Sequence, residues 1–202
     1  MTKLVNNLEN HLLVAMPEMG DTYFNKTVTY ICEHNEEGAM GLIINLPVKL
    51  TLTDLLAQLD SEEDINTIDE NSRFQADEYK NKLQQMVLSG GPVAKQRGFV
   101  LHSTQDGWSS SLSLSDDIMI TTSKDILLAL GTDKAPDKFM VTLGYAGWGP
   151  GQLEQELKEN SWLTTPANTE IIFDTPVEQR WKKSTEKMGI DLAHLSTDIG
   201  HA

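Results

Sequence analysis

Short apolar runs bounded by turn residues dominate the first half of the chain. The runs HLLVAMPEM, KTVTYICEH and GAMGLIINLP are rich in apolar and β-branched residues, which is typical of buried strands. The NEEG segment between the second and third runs has the length of a hairpin turn. The next segment, TLTDLLAQLD, carries leucines at helical spacing and predicts a helix that begins near Thr51 or Thr53.

Strands and helices alternate in the second half. LQQMVLSGGPV predicts a strand that ends at Gly90, Gly91 and Pro92, where the turn requires unusual backbone angles or the close approach of another segment. RGFVLHST and SSSLSLSDDIMITT predict two strands joined at a hairpin by QDGW. SKDILLALGTD predicts a helix, DKFMVTLGYA a strand, TEIIFDT a last strand and PVEQRWKKSTEKMG a final helix.

This order of elements predicts the fold class and the domain organisation. Early hairpins followed by strand and helix alternation favour an α+β fold with α/β-like features: a central mixed, largely antiparallel sheet flanked by helices. The length of 202 residues predicts a single domain over residues 1–202 and is compatible with a small attached lobe. Residues 60–80 contain eight acidic residues and few apolar ones, so we expect a variable acidic loop or small insertion there, with an acidic partner-binding segment as the alternative.

Charge and cysteine content narrow the classes of function. The formal net charge of −14 opposes direct binding to a phosphate backbone. The nearest candidate for a basic patch is interleaved with glutamates and predicts a solvated helix face, formed by Arg180, Lys182, Lys183 and Lys187. The single cysteine cannot form an internal disulfide, and the N-terminus lacks the pattern of a secretory signal. The apolar runs are far shorter than the roughly 20 residues of a membrane span. Together these features predict a soluble, cytoplasmic protein.

The stretch GYAGWGPGQLEQELKENSWL places a glycine-rich turn between a predicted strand and a predicted helix, which is a context for anion binding. The residue types do not match that chemistry. A dinucleotide fingerprint needs a glycine three positions after Gly149, where Gln152 stands, and a phosphate loop needs a lysine that the turn lacks. The sequence instead predicts a close-packed corner around Trp148, in which Gln152, Glu154 and Glu156 hydrogen-bond to neighbouring groups.

Three long blocks resemble the YqgE/AlgH family of bacterial proteins, in the right order and over nearly the whole chain. They are LLVAMPEMGDTYFNKTVTYICEHNEEGAMGLIINLP, SGGPVAKQRGFVLH and GYAGWGPGQLEQELKENSWL. The resemblance implies a cytoplasmic α/β protein with a central mixed sheet. It implies little about biochemistry, because the family is largely uncharacterised and one branch carries only the label of a transcriptional regulator of alginate production. For such a regulator, we expect an indirect route through a protein or a small ligand, because the charge and the lack of a helix-turn-helix disfavour DNA contact.

The polar positions of the family motifs supply the candidate site residues, which are Glu33, His34, Asn45, His102, Gln152, Glu154 and Glu156. If the strand ends carrying Glu33, His34 and His102 converge, a histidine with a carboxylate could perform general acid-base chemistry, as in a hydrolase. Histidines satisfied by backbone groups are the structural alternative. The sequence has no HExxH spacing, cysteine pair or aspartate cluster, so we predict no metal site and no cofactor.

A role in regulation or binding is the favoured hypothesis. Its predicted ligand or partner surface comprises the turns at Gly90, Gly91 and Pro92 and at Trp148 and Gln152, together with Asn45, Glu154 and Glu156. The partner is an unspecified protein or small molecule, and a homodimer is compatible with the sequence. Cys32 is expected to be a small buried apolar residue instead of a nucleophile. Alternation along the strand places Cys32 and His34 on one face and Glu33 on the other, and a lowered thiol pKa needs a nearby positive group.

Overall fold

A computed structural model describes residues 7–17, 21–61 and 77–190. Contacts between Cα atoms divide the chain into two compact units. The first unit comprises Met1–Leu46, Gly90–Val93 and Tyr145–Ala202, and the second comprises Pro47–Ser89 and Ala94–Gly144. The prediction of one domain over residues 1–202 stays a prediction.

Ten strands lie within the described ranges: β1 His11–Ala15, β2 Val28–Asn35, β3 Gly38–Ile43, β4 Pro47–Thr51, β5 Met86–Ser89, β6 Val93–Ser103, β7 Ser111–Ser113, β8 Ile118–Thr121, β9 Phe139–Trp148 and β10 Trp162–Pro166. The described α-helices are α1 Leu52–Ser61, α2 Asp77–Leu83, α3 Lys124–Ala129, α4 Gln152–Lys158 and α5 Arg180–Lys187. A π-helical turn at Glu170–Asp174 and a 3-10 turn at Val177–Gln179 precede α5. None of the helices in these ranges is long and apolar enough to span a bilayer.

The first unit is an antiparallel sheet with the strand order β10-β1-β2-β3-β9, the last strand contributing its C-terminal part. Helix α4 packs against β3 and β10, and α5 packs against β1 and β2. The core beneath α4 buries two tryptophans, Trp148 and Trp162, with Leu13, Ile31 and Leu153. Burying such large side chains removes much apolar surface from water and stabilises this unit.

The second unit pairs β9-β6-β8-β7, and β8 is antiparallel to both β6 and β7. Strand β4 pairs antiparallel with β5, and β5 pairs parallel with the first part of β9. Helices α1 and α3 contribute leucines and isoleucines to the core of this unit, which includes Leu52, Leu56, Val100, Ile126 and Val141. The strand pairing confirms the predicted α+β class with a mixed, largely antiparallel sheet.

The structure corrects the prediction for TEIIFDT. Residues 170–174 form a π-helical turn instead of a last strand. The side chain of Asn168 accepts a hydrogen bond from the amide of Ile171 at 3.0 Å, and Thr175 closes the turn by donating its amide to the carbonyl of Glu170 at 2.8 Å. These local bonds outweigh the strand propensity of the β-branched residues. The last strand is β10, which the sequence pattern does not indicate.

Most of the predicted acidic loop at 60–80 lies outside the described residues. Its first two positions belong to the end of α1, and its last four, residues 77–80, belong to α2. The predictions of a variable loop and of an acidic partner-binding segment therefore stay predictions.

Gly91 is required by the backbone of the first unit. Its φ is +155°, and a Cβ placed on it would lie 2.0 Å from the carbonyl carbon of Tyr145. Contacts below 3.0 Å to backbone atoms force the chain to shift. Gly91 therefore lets the GGPV turn pack directly on β9, as the turn chemistry indicated.

We expect Gly91→Ala to lower the free energy of unfolding by more than about 2 kcal/mol, because the new methyl group displaces backbone instead of a flexible side chain. The control is Gly98→Ala, since Gly98 lies in β6 and a Cβ placed on it would have nothing within 4 Å. That change should stay within about 1 kcal/mol of the wild type. Urea unfolding of both variants checks this, and equal stability of the two would contradict the close packing.

Candidate functional site

The glycine-rich stretch is organised around one carboxylate, that of Glu156 on α4. Its Oε2 accepts hydrogen bonds from the indole Nε1 of Trp148 at 2.9 Å and from that of Trp162 at 2.8 Å. The other oxygen, Oε1, accepts from Nε2 of Gln152 at 2.9 Å. The two indole rings meet edge to face with centroids 6.1 Å apart. One carboxylate therefore satisfies both buried indole donors and fixes the helix on the core.

Gln152 closes the turn that leads into this helix. Its Oε1 accepts from the amide of Gly149 at 3.0 Å, while its amide nitrogen donates to Glu156. Gly151 adopts a left-handed conformation with φ 73° directly before the helix, which favours glycine. The helix has only seven residues, and the side chain of Gln152 already occupies an amide of the turn. Gln152 and Glu156 thus hold the corner around Trp148, and we call their hydrogen bonds to Gly149, to each other and to the two indoles the clasp.

His34 and Glu154 form a second polar contact between α4 and the rest of the first unit. Nδ1 of His34 accepts from the amide of Leu8 at 3.0 Å, so this nitrogen carries no proton. Nε2 therefore carries the proton and donates to Oε1 of Glu154 at 2.8 Å. Burial acts to raise the pKa of Glu154, but hydrogen bonds from its own backbone amide and from His34 outweigh it and lower the pKa. The pair is a hydrogen bond between a neutral imidazole and a carboxylate.

Asn45 and Arg180 hold further backbone groups of the first unit. Asn45 accepts from the amide of Val28 at 2.8 Å and donates to the carbonyl of Lys26 at 2.8 Å. Arg180 donates Nε to the carbonyl of Thr175 at 3.0 Å and Nη1 to the carbonyl of Ile44. Arg180 is buried, and burial lowers its pKa to about 10.

The prediction that Arg180 belongs to a solvated face is therefore wrong. The lysines of the same patch, Lys182, Lys183 and Lys187, are exposed as expected. The sequence pattern does not separate Arg180 from these lysines, because its acceptors, the carbonyls of Thr175 and Ile44, are backbone groups.

Each strand-end residue of the hydrolase hypothesis has partners in its own unit. In the second unit, His102 is fully buried; Nδ1 lies 2.8 Å from the carbonyl of Ser103 and Nε2 lies 2.8 Å from Oγ1 of Thr121. Burial lowers the pKa of His102, and the bond to Ser103 opposes this only in part. In the first unit, Glu33 is exposed and accepts from Nδ2 of Asn35 at 2.7 Å. Both histidines thus use both ring nitrogens in hydrogen bonds within the protein.

Cys32 is buried at a bulge of β2, between the pairs Ile31 with Gly41 and Glu33 with Met40. Burial, reinforced by the charge of Glu33, raises the pKa of its thiol far above the ordinary range, which disfavours the thiolate. Across the described ranges, no group of three or more histidine, cysteine, aspartate or glutamate side chains could hold a metal ion.

The exposed residues near the glycine-rich stretch and the GGPV segment lie in turns. Gly149, Pro150, Gly151 and Gln152 are exposed, as are Pro92 and Val93 in the GGPV turn. The turn between β2 and β3 lies next to the turn that begins at Gly149, because a Cβ on Gly38 would meet the carbonyl oxygen of Trp148 at 2.1 Å. Glu36 and Glu37 of that turn are exposed. We call these residues, 36–37, 92–93 and 149–152, the turn surface.

Comparison with known proteins identifies the family to which this chain belongs. A family model described as AlgH-like matches residues 12–193. A UPF0301 protein of Colwellia psychrerythraea is 67% identical over 210 residues, covering 98% of this chain and 100% of the relative. A UPF0301 protein of Idiomarina loihiensis is 53% identical over 198 residues, covering 98% and 100%. The chain therefore belongs to the AlgH-like family of bacterial proteins, as the sequence blocks indicated.

Solved structures agree with this assignment. The solution structure of the AlgH protein from Pseudomonas aeruginosa is similar with a TM-score of 0.73 and 40% identity, covering 100% of both chains. The crystal structure of protein DIP2367 from Corynebacterium diphtheriae is similar in fold, with a TM-score of 0.66, 20% identity and coverage of 98% of this chain and 95% of that one. The names of these relatives state no biochemical activity.

The first prediction for this site concerns Glu156. We expect Glu156→Ala to lower the free energy of unfolding by about 3 kcal/mol, because two buried indole donors lose their acceptor at once. The matched control is Glu159→Ala, which removes an exposed carboxylate bonded to Nε2 of Gln155 and should cost less than about 0.5 kcal/mol. Urea unfolding followed by tryptophan fluorescence measures both, and equal losses would show that Glu156 is not the organising group.

The second prediction concerns pH. Because the pKa of Glu154 is lowered in the folded state from its ordinary value of 4.5, its contribution to stability is present above pH 4.5 and is lost as the pH falls through the folded pKa. The stability difference between wild type and Glu154→Gln should therefore shrink as the pH falls below 4.5. Glu159→Gln corrects for the general effect of removing one charge. A difference that stays constant with pH would contradict the bond to His34.

Proposed function

We propose that this protein is a cytoplasmic regulatory protein that acts by binding a protein partner through the turn surface. One observation supports this most directly. The polar side chains of the family motifs, among them His34, Asn45, Gln152 and Glu156, are engaged in hydrogen bonds within the first unit. They hold the exposed glycine turns in one shape instead of presenting reactive groups.

A fixed backbone surface suits recognition of another protein. Rigid turns lose little conformational entropy on binding, so more of the contact energy appears as affinity. The left-handed Gly151 and the close approach of Gly91 to Tyr145 keep the exposed Pro92 and Pro150 in place. Proline and backbone groups at such turns offer shape and hydrogen-bonding sites without a charged ligand pocket.

Charge indicates what kind of partner fits. The turn surface carries the exposed Glu36 and Glu37, and the net charge of the chain is −14. The partner is therefore expected to present a basic surface, and the encounter rate should fall as salt is added. The same charge opposes duplex DNA, so we propose an indirect regulatory role in place of DNA contact. The single cysteine agrees with a reducing compartment.

The hydrolase alternative gains no support from the two histidines. His102 is fully buried with a lowered pKa, and His34 is buried with its Nδ1 unprotonated and its Nε2 bonded to Glu154. A general base needs a free nitrogen within reach of a substrate proton. Neither imidazole offers one without first breaking a structural bond.

Site-specific photocrosslinking in the producing bacterium tests the proposed surface. A benzophenone amino acid placed at Val93 or Pro150 should give the same discrete crosslinked product, because both positions belong to the turn surface. The matched position is Leu112 in the second unit, which is 60% exposed and should give no such product. The mass of the product separates a second copy of this chain from a different protein.

Two variants sharpen the test. Gln152→Ala releases the amide of Gly149, and Glu36→Lys with Glu37→Lys reverses the charge of the neighbouring turn. Each should reduce the crosslinked product severalfold with the fold intact by circular dichroism. Trp148→Ala is a poorer probe because this buried side chain supports the core. Unchanged yields in the folded variants, or equal products from Leu112, would refute the proposed surface.

A further inference from the structure

The second unit carries an open cleft of about 580 Å³ that none of the family motifs discussed above explains. It lies among the segment 105–108, helix α3 and the turn at 129–134. Small-molecule sites commonly have volumes of about 300–1,000 Å³, so the cleft is large enough for a metabolite. All of its lining residues belong to one unit.

Side-chain clamps fix the walls of the cleft. Nε2 of Gln105 donates to the carbonyl of Lys134 at 2.9 Å, which joins the two loops. The amide and hydroxyl of Ser109 donate to Oδ2 of Asp125 at 2.7 and 2.8 Å, which ties the first loop to α3. Oγ1 of Thr132 donates to the carbonyl of Ala129 at 2.6 Å. The cleft is thus formed by bonded segments and does not need a ligand to order them.

The floor of the cleft is apolar and aromatic. Trp108, Leu128 and Ala129 are half-buried and line it. The ring of Trp108 is held edge to face against the buried His102, with centroids 6.5 Å apart. Its indole Nε1 is buried without a hydrogen-bond partner in the described part of the chain, so the face of the ring, and not its N–H, is what the cleft offers to a ligand.

The charged groups of the rim are mostly acidic. Asp106 and Asp133 are exposed and form no ion pair among the described residues, and Lys134 is the opposing charge. The carboxylate of Asp125 is already bonded to four donors, the amides of Ser109 and Ile126 and the hydroxyls of Ser109 and Ser123. Two unpaired carboxylates beside an indole, in a chain of net charge −14, attract a cation.

We propose that this cleft binds a small organic cation that has an apolar body and an ammonium group. The apolar body rests on Trp108 and Leu128, and the ammonium lies between the carboxylates of Asp106 and Asp133. Anionic ligands are disfavoured because they would meet both carboxylates. The proposed site is separate from the turn surface, so its test and the crosslinking test can fail independently.

Titration with 2-phenylethylammonium chloride tests this proposal. In ¹⁵N-labelled protein, the indole resonance of Trp108 should shift saturably with a Kd of about 1 mM, and added salt should weaken the binding. The control ligand 3-phenylpropionate has the same ring and the opposite charge, and it should produce no saturable shift. Trp108→Phe assigns the indole resonance.

Two double variants test whether the carboxylates of the cleft attract the ammonium group of the ligand. Asp106→Asn with Asp133→Asn should weaken binding of the ammonium about three- to tenfold, because two exposed ion pairs are lost. Asp116→Asn with Asp117→Asn removes two exposed charges of the same unit outside the cleft and should leave the affinity unchanged. The dispersion of the amide spectrum confirms that every variant is folded. Absence of a saturable shift at about 10 mM ligand, equal binding of the anion, or equal effects of the two double variants would overturn the proposal.

Discussion

The structure of the first unit depends on the carboxylate of Glu156, which accepts hydrogen bonds from two buried indoles and from Gln152. Burying a tryptophan adds a large apolar surface to the core, and its N–H usually needs an acceptor there. One residue therefore permits two tryptophans to pack edge to face beneath α4. Gln152 bonds to Glu156 and also accepts from the amide of Gly149, so the geometry of the exposed turn follows from the packing of the core.

This constraint explains why the motif resembles an anion site without being one. A strand, a glycine-rich turn and a helix occur in both, but here the side-chain oxygen of Gln152 already accepts from the amide of Gly149. His34 and Glu154 repeat the principle on the same helix, where an unprotonated Nδ1 anchors Leu8 and Nε2 holds the carboxylate. Charged and polar residues thus concentrate at this corner because the buried indoles and the amide of Leu8 need acceptors there.

Sequence reasoning found the elements whose pattern is local. The strands near Val14, Ile31 and Ile43 and the clasp from Gln152 follow from short apolar runs and glycine positions. It failed at Ile171 and Ile172, which have strand propensity, because local hydrogen bonds of Asn168 and Thr175 close them into a π-helical turn. Arg180 was missed because its acceptors, the carbonyls of Ile44 and Thr175, are backbone groups that no side-chain pattern shows. The cleft beside Trp108 was missed because its walls come from segments distant in sequence.

The central claim is that the motif residues form a permanent clasp that shapes a rigid surface. Hydrogen exchange of the indole protons of Trp148 and Trp162, followed by NMR in the isolated protein, tests it most directly. Both protons should exchange slowly, at rates set by unfolding of the first unit, because each is bonded to Glu156 within the core. Rapid exchange of either proton under native conditions would contradict the account.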